Sequence, residues 1–297
     1  MSDSTCFALA LDAMEGVGRV TATRLFSHFA SYEDLLRYPR EQVLTRLKGA
    51  PRSEALVATL FDQPAMHSLL ADARSSLDSL HRQRVEVLTS RDAAWPPGLS
   101  GLPRQLRPFL LHAYGSLEVL HRPVVSFFAH PPISPDSFER AQDLIGRLLS
   151  HQVVPGTGAA HGFDVVVNKL CYGGPATHPS LLVASAGMAR VPPSIRPTVS
   201  AVVRTGGVFL SPFAMKHGPF SHDDKERALV QAALARACVF FEPLPDTPEW
   251  HALTWAVEAG RPVFGIASDQ HPMPDQVHPL RNDVDFDWVL AASQTEA

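Results

Sequence analysis

The stretch Thr157–Asp164, TGAAHGFD, sets two glycines and an adjacent pair of alanines between the apolar runs QVV and VVV. Glycines at a strand-to-helix turn let backbone N–H groups approach a phosphate, and the helix that follows adds its positive end. Gly158, His161 and Gly162 are therefore candidate phosphate-binding residues, with the His161 imidazole as a donor. The same spacing also describes a plain tight turn carrying a solvent-facing histidine. Asp164, at the start of the next helical stretch, is expected to cap that helix. Lys225 and Arg227 open the helical stretch KERALVQAALARA and can carry positive charge into a cleft. Asp223, Asp224 and Glu226 beside them oppose that field, as acidic residues at a helix start commonly do. Lys216 and His217 form a looser basic pair in the preceding loop.

A second candidate lies near the N-terminus, in EGVGRVTATRL. Gly16-Val17-Gly18 between two helical stretches is a helix-hairpin-helix signal, in which the turn and the next helix start face a DNA phosphate flanked by Arg19 and Arg24. Such a turn can equally just round a corner in a helical bundle. Glu242 and Glu249 follow the apolar run CVFF on a proline-rich loop, where a carboxylate can serve as general acid or base. Walker loops, HExxH and Ser-His-Asp elbows are absent from the sequence, so no catalytic residue, metal or cofactor is expected.

These residues need a scaffold. The chain has 297 residues, 45% of them hydrophobic, enough for one large or two smaller cores. Its net charge of −4 gives no global pull toward nucleic acid, so DNA binding needs a local basic patch. No apolar run reaches membrane-spanning length, and the N-terminus lacks a basic signal-peptide region. Cys6, Cys171 and Cys238 are scattered and read as small core residues. Together these features point to a cytoplasmic protein.

Residues 1–75 read as a small all-helical domain, with Ser31 as one N-cap, and residues 76–122 as a proline-rich connector. From residue 123 to 268 short apolar strands (PVVSFF, QVV, LLVAS, GVFL, CVFF, PVFGI) alternate with helical stretches. Ser134-Pro135 starts the first of these helices, which has Phe138, Ala141, Ile145 and Leu148 on one face. That pattern predicts an α/β, Rossmann-like, mostly parallel sheet with helices on both faces and ligands beyond the carboxyl ends of its strands. Residues 269–297 form a C-terminal extension.

The connector RDAAWPPGLSGLPRQLRPFLLHAYGS carries Asp92, Trp95, Pro96, Leu99, Pro108, Leu110, Tyr114, Gly115 and Ser116 in an order that resembles the DNA-processing protein A (DprA/Smf) family. The resemblance spans roughly residues 6–268. It includes EAGRPVFGI, Glu258–Ile266, and places TGAAHGFD on the family's S-G-x-A-x-G-I-D loop, with Gly158, Ala160, Gly162 and Asp164 retained. Other family positions are changed. G-S-R falls at Phe128-Ala129-His130, so His130 stands where an arginine would meet phosphate. The A-H after the loop is Val167-Asn168, and S-E is Ser211-Pro212. F-P-x-R-N-R keeps Phe220 and, at most, one arginine as Arg227. S-G-S-L-I-T falls near Thr247–Ala252 without its Ser-Gly, and the final P-G is Ala267-Ser268. The resemblance implies binding of single-stranded DNA, assistance to recombinase loading during DNA uptake or recombination, no catalysis, and a homodimer through the Rossmann-like (SLOG-type) domain. The changed pocket keeps a second reading open: a sensor of a nucleotide-derived ligand, or a structural interaction subunit. A third is a nucleotide hydrolase, although Gly173-Gly174-Pro175 lacks the Gly-Thr and glutamate that follow the paired glycines of such enzymes.

Overall fold

The computed structural model describes residues 3–160, 162–268 and 270–295. The chain divides into two compact units, residues 1–93 with 103–111 and residues 94–102 with 112–297. The connector forms no body of its own; its segments are shared between the two.

The first unit holds α1 (Asp3–Ala13), α2 (Arg19–His28), α3 (Tyr32–Leu36), α4 (Arg40–Arg46), α5 (Ser53–Leu60), α6 (Gln63–Arg82) and the short β1 (Val85–Leu88). Ser31 caps α3 by accepting from Asp34 N at 3.1 Å, and Asp62 caps α6 from Ala65 N. Phe7, Leu11, Leu25, Phe26, Phe29, Leu35 and Leu60 are fully buried and form the unit's interior. Arg91 closes over the Phe26 ring at 5.1 Å and donates to the Phe26 carbonyl at 2.7 Å.

The second unit is the α/β, Rossmann-like body that the strand–helix alternation predicts. Its chain order is β2 (Leu111–Gly115), β3 (Val124–Ala129), α7 (Pro135–Ser150), β4 (Val154–Gly158), α8 (Phe163–Tyr172), β5 (Leu181–Val183), α9 (Arg196–Arg204), β6 (Val208–Ser211), α10 (Asp223–Leu234), β7 (Ala237–Phe241), α11 (Pro248–Glu258), β8 (Val263–Ile266), β9 (His278–Pro279) and α12 (Asp283–Gln294). Across the sheet the order is β2-β6-β5-β4-β3-β7-β8-β9. Only the β2–β6 pair is antiparallel; the other pairs in this run are parallel, with Val125 beside Ala237 and Gly156 beside Leu181. The chain runs outward from β3 through β4, β5 and β6, then resumes on β3's other side at β7. That reversal places a crevice at the carboxyl ends of β3 and β7.

Burial on both faces explains the mainly apolar strands; β4, Val-Pro-Gly-Thr-Gly, is the exception and is buried too. Phe128 stacks on Phe240 at 4.5 Å between neighbouring strands. On one face, Ala141, Ile145 and Leu148 of α7 meet Val125, Phe127, Val239 and Phe241. Ser134 caps that helix, accepting from Ser137 N at 3.2 Å, as its Ser-Pro start predicts. The last residues belong to the same core. Asn282 and Asp285 form a reciprocal capping box at the start of α12, and the helix inserts Phe286 and Val289 among the β3 and β7 side chains.

Phe286 is 5% exposed and Val284, on the same helix, 59%. Phe286→Ala is expected to cost about 3–5 kcal/mol in urea unfolding, while Val284→Ala stays within about 0.5 kcal/mol. Equal effects would show that α12 is not part of the folded core.

Candidate functional site

The carboxyl ends of β3, β4, β5 and β7 gather most of the residues singled out by sequence, but in an arrangement their spacing does not reveal. Arg227, one turn into α10, is buried with its side chain 7% exposed. It donates to Gln231 Oε1, four residues on, at 2.7 Å, and pairs with Glu249 Oε1 at 3.4 Å. Gln231 in turn donates to the Phe127 carbonyl on β3 at 2.9 Å and reaches the Gly156 carbonyl on β4 at 3.4 Å. The guanidinium is thus fastened beneath the strand ends, and its charge is met inside the protein.

Gly158 lies directly against this group. A Cβ built there would stand 2.6 Å from Asp164 Oδ2 and 2.8 Å from an Arg227 nitrogen. A larger residue here would have to push aside these two side-chain ends, whatever the loop binds. Gly162 has φ +78°, a left-handed conformation that favours glycine, and is the N-cap of α8. His161, between them, lies outside the described residues.

Asp164 departs from its expected capping role. No side chain caps α8 at Gly162; instead Asp164 Oδ2 reaches back to accept from Ala160 N at 3.2 Å. A loop N–H that would face a phosphate is thereby taken by an internal carboxylate. Burial pushes the Asp164 carboxyl up to about 6, against the pull of Arg227 and of the Ala160 and Gly158 backbone donors. Behind the loop, Asn168 donates to Thr157 Oγ1 at 2.8 Å and to the Asp164 carbonyl at 2.7 Å, while Ser180 donates to Asn168 at 2.7 Å. These polar groups hold the chain at Thr157 and Asp164 from the sheet side.

At the β3–β7 crevice, His130 Nδ1 lies 3.4 Å from Glu249 Oε2, so Glu249 bridges His130 and Arg227. Glu242, just past β7 at φ +47°, accepts from Ser134 N at 3.0 Å, from Ser137 Oγ at 2.6 Å, and from Ser134 Oγ. Burial raises its carboxyl, but these donors outweigh burial and hold it below the ordinary range.

Beside the crevice, past β4 and β5, lies a cavity of about 210 Å³. Ala159, Ala160, Pro192, Ile195, Phe220 and Asp224 are among its lining residues. Ser185 Oγ donates to Asp224 Oδ1 at 2.5 Å on its wall. Phe220, on its lining, belongs to a run of rings: Phe213 stacks on His217 at 4.7 Å, His217 meets Phe220 edge-on at 5.1 Å, and Phe220 stacks on His222 at 5.7 Å. Buried Asp223 accepts from His217 at 2.9 Å and from the Phe220 backbone N–H at 2.8 Å, anchoring this loop. Lys216 and Lys225 are exposed on the loop and the start of α10. Sequence reasoning passed over Arg190, which is exposed and whose Nε donates to the Lys216 carbonyl at 3.3 Å. The cavity lies where ligands are expected, beyond the carboxyl ends of the strands, and its walls come from four separate chain segments.

Gly16 and Gly18 lie in the first unit between α1 and α2, and Arg19 opens α2. Gly16 is left-handed at φ +80°, and a Cβ at Gly18 would meet nothing within 4 Å, so the turn presents open backbone. Arg19 donates to the Gln105 carbonyl at 3.3 Å, and its charge lowers the Asp12 carboxyl that burial raises.

A doubly wound sheet with a crevice at its topological reversal defines a Rossmann-like ligand-binding class. The family model of DNA recombination-mediator protein A matches residues 86–279, and the chain belongs to that family. Curated protein sequences give no match. Among solved structures, DNA processing protein A from Streptococcus pneumoniae is similar at 18% identity and TM-score 0.61, covering 95% of this chain and 99% of that one. DNA processing protein A from Helicobacter pylori, whose single-stranded DNA binding mode has been described, is similar at 16% identity and TM-score 0.59, covering 70% of this chain and 96% of that one. Among the described residues, no helix is long and apolar enough to cross a membrane.

Asp164 gives a pH test. Its folded value near 6 exceeds the ordinary 3.8, so the folded state holds the extra proton between those values. The resulting stability is full below the lower value and is lost as pH rises through 6. Buried His112, lowered to about 4, acts oppositely: its contribution is present above 6.5 and is lost as pH falls toward 4. Asp164→Asn removes only the first term. From pH 7 to pH 5 the variant should lose about 1 kcal/mol more stability than the parent in urea unfolding. Parallel curves would refute the buried, proton-holding carboxyl.

Proposed function

We propose that this protein binds single-stranded DNA across the carboxyl ends of β4 and β5, and assists recombinase loading without catalysis. The observation that carries this reading is the cavity with exposed Phe220 on its wall, flanked in the chain by the exposed cations Lys216, Lys225 and Arg190. Single-strand binders combine cationic side chains that follow the phosphates with aromatic rings that stack on bases. Family membership and the Helicobacter pylori relative support the same assignment. The role of Arg227 in it is to hold the loop at Gly158, since its charge is spent on Glu249 and Asp164. His130, Gly158 and Gly162 frame the adjoining crevice, and His161 belongs to the same loop. The open turn at Gly16, Gly18 and Arg19 offers a further phosphate contact in the first unit.

Two features support a non-catalytic reading. Glu242 is committed to two serines and Glu249 to His130 and Arg227, so each carboxylate is engaged structurally. The homodimer and the cytoplasmic setting implied by resemblance are part of the same proposal.

The test is titration of a labelled oligonucleotide at several salt concentrations. Binding should weaken with salt, and Lys216→Ala and Lys225→Ala should each lower the log–log slope by about 0.7. Absence of binding at micromolar protein in low salt would sink the reading, and a nucleotide panel screened by thermal shift would then test the ligand-sensor alternative. Recombinase loading is read separately, as faster filament growth on strands coated with single-strand binding protein.

A further inference from the structure

The cavity past β4 and β5 carries a chemical preference of its own. Its walls are mainly apolar, with alanines at 159, 160, 184 and 186 leaving room beside Phe220, which is 55% exposed. Its strongest polar group is the Asp224 carboxylate. A carboxylate repels phosphate, so the space suits a base rather than the strand's backbone. Ionised, it only accepts hydrogen bonds, and it has lone pairs beyond the one that Ser185 Oγ occupies at 2.5 Å. The matching base edge is one of donors alone.

We infer that this cavity is a guanine-selective base site within the single-stranded DNA interface proposed above, on which the inference rests. Guanine offers N1–H and the N2 amino group side by side, and a carboxylate can accept from both. Cytosine and adenine each offer one amino group beside a ring acceptor, which would face the carboxylate unfavourably. Thymine offers a single N3–H flanked by two carbonyl oxygens. Phe220 supplies a stacking face, held in place by its backbone donation to buried Asp223 and its contact with His217. Asp224 is the specificity-determining residue of this arrangement.

The test uses the full chain and labelled oligothymidylates of about 12 nucleotides, each with one central position changed to dG, dA, dC or deoxyinosine. The dG oligomer is expected to bind about tenfold tighter than unsubstituted dT, as two hydrogen bonds to a charged acceptor predict. Deoxyinosine, lacking the N2 amino group, should fall between them. Asp224→Asn keeps the side chain's shape and an acceptor for Ser185, yet should bring the dG and dT affinities to within about twofold while dT binding persists. Equal affinity of the parent protein for all oligomers overturns the base site and leaves single-strand binding intact. Failure to bind any oligomer overturns both readings. Displacement of the dG oligomer by guanosine monophosphate as readily as by unlabelled dG oligomer would reassign the site to a free nucleotide and overturn its place in a DNA interface.

Discussion

The carboxyl end of the sheet is organised around a buried cation. Arg227 has nowhere to send its charge except into the protein, and a buried guanidinium without partners is costly. Gln231 and Glu249 hydrogen-bond it, and Asp164 stands beside it across Gly158. Each partner brings a separate element: Gln231 ties α10 to β3 and β4, Glu249 brings the start of α11, and Asp164 brings the start of α8. Any larger residue at 158 would have to displace the Asp164 and Arg227 side-chain ends that help hold these elements together.

This arrangement recasts the glycine loop. A turn of this composition can cradle a phosphate, yet here one of its N–H groups already serves Asp164 and its first glycine accommodates an internal arginine. The loop is a packed corner whose outer side, at Ala159 and Ala160, lines the neighbouring cavity. Phe220 and the Asp224 carboxylate share that cavity wall, so the outer and the inner side of one turn face different surroundings. Asp164 keeps a carboxyl that burial raises, and its cost is shared with the arginine it helps to retain.

Much of the fold was legible in the sequence. The mainly apolar strands, the Ser134-Pro135 helix start and the Ser31 cap follow local rules, and the structure follows them too. The site was legible only in part, because its decisive contacts join distant positions. Nothing near Arg227 marks it as buried; charged neighbours at 223–226 suggest a solvated helix start, and its partner Glu249 lies 22 residues away. The i, i+4 pairing with Gln231, followed by an unbroken apolar run, was the available hint. Asp223 looked like an ordinary helix-start acid, but two histidines and a backbone N–H cover it. The tail read as an extension, although Phe286 and Val289, three residues apart behind an Asn282–Asp285 box, carry the pattern of a core helix.

The short strand β9 has a consequence for association. A parallel sheet that ended at β8 would offer a full ladder of unpaired backbone groups to any extended chain. Here the outermost strand is two residues long, and one of them is a proline with no N–H to donate. That margin of the sheet is therefore poorly suited to recruit a strand from another molecule. Copies of the protein can sit close there without their sheets fusing edge to edge.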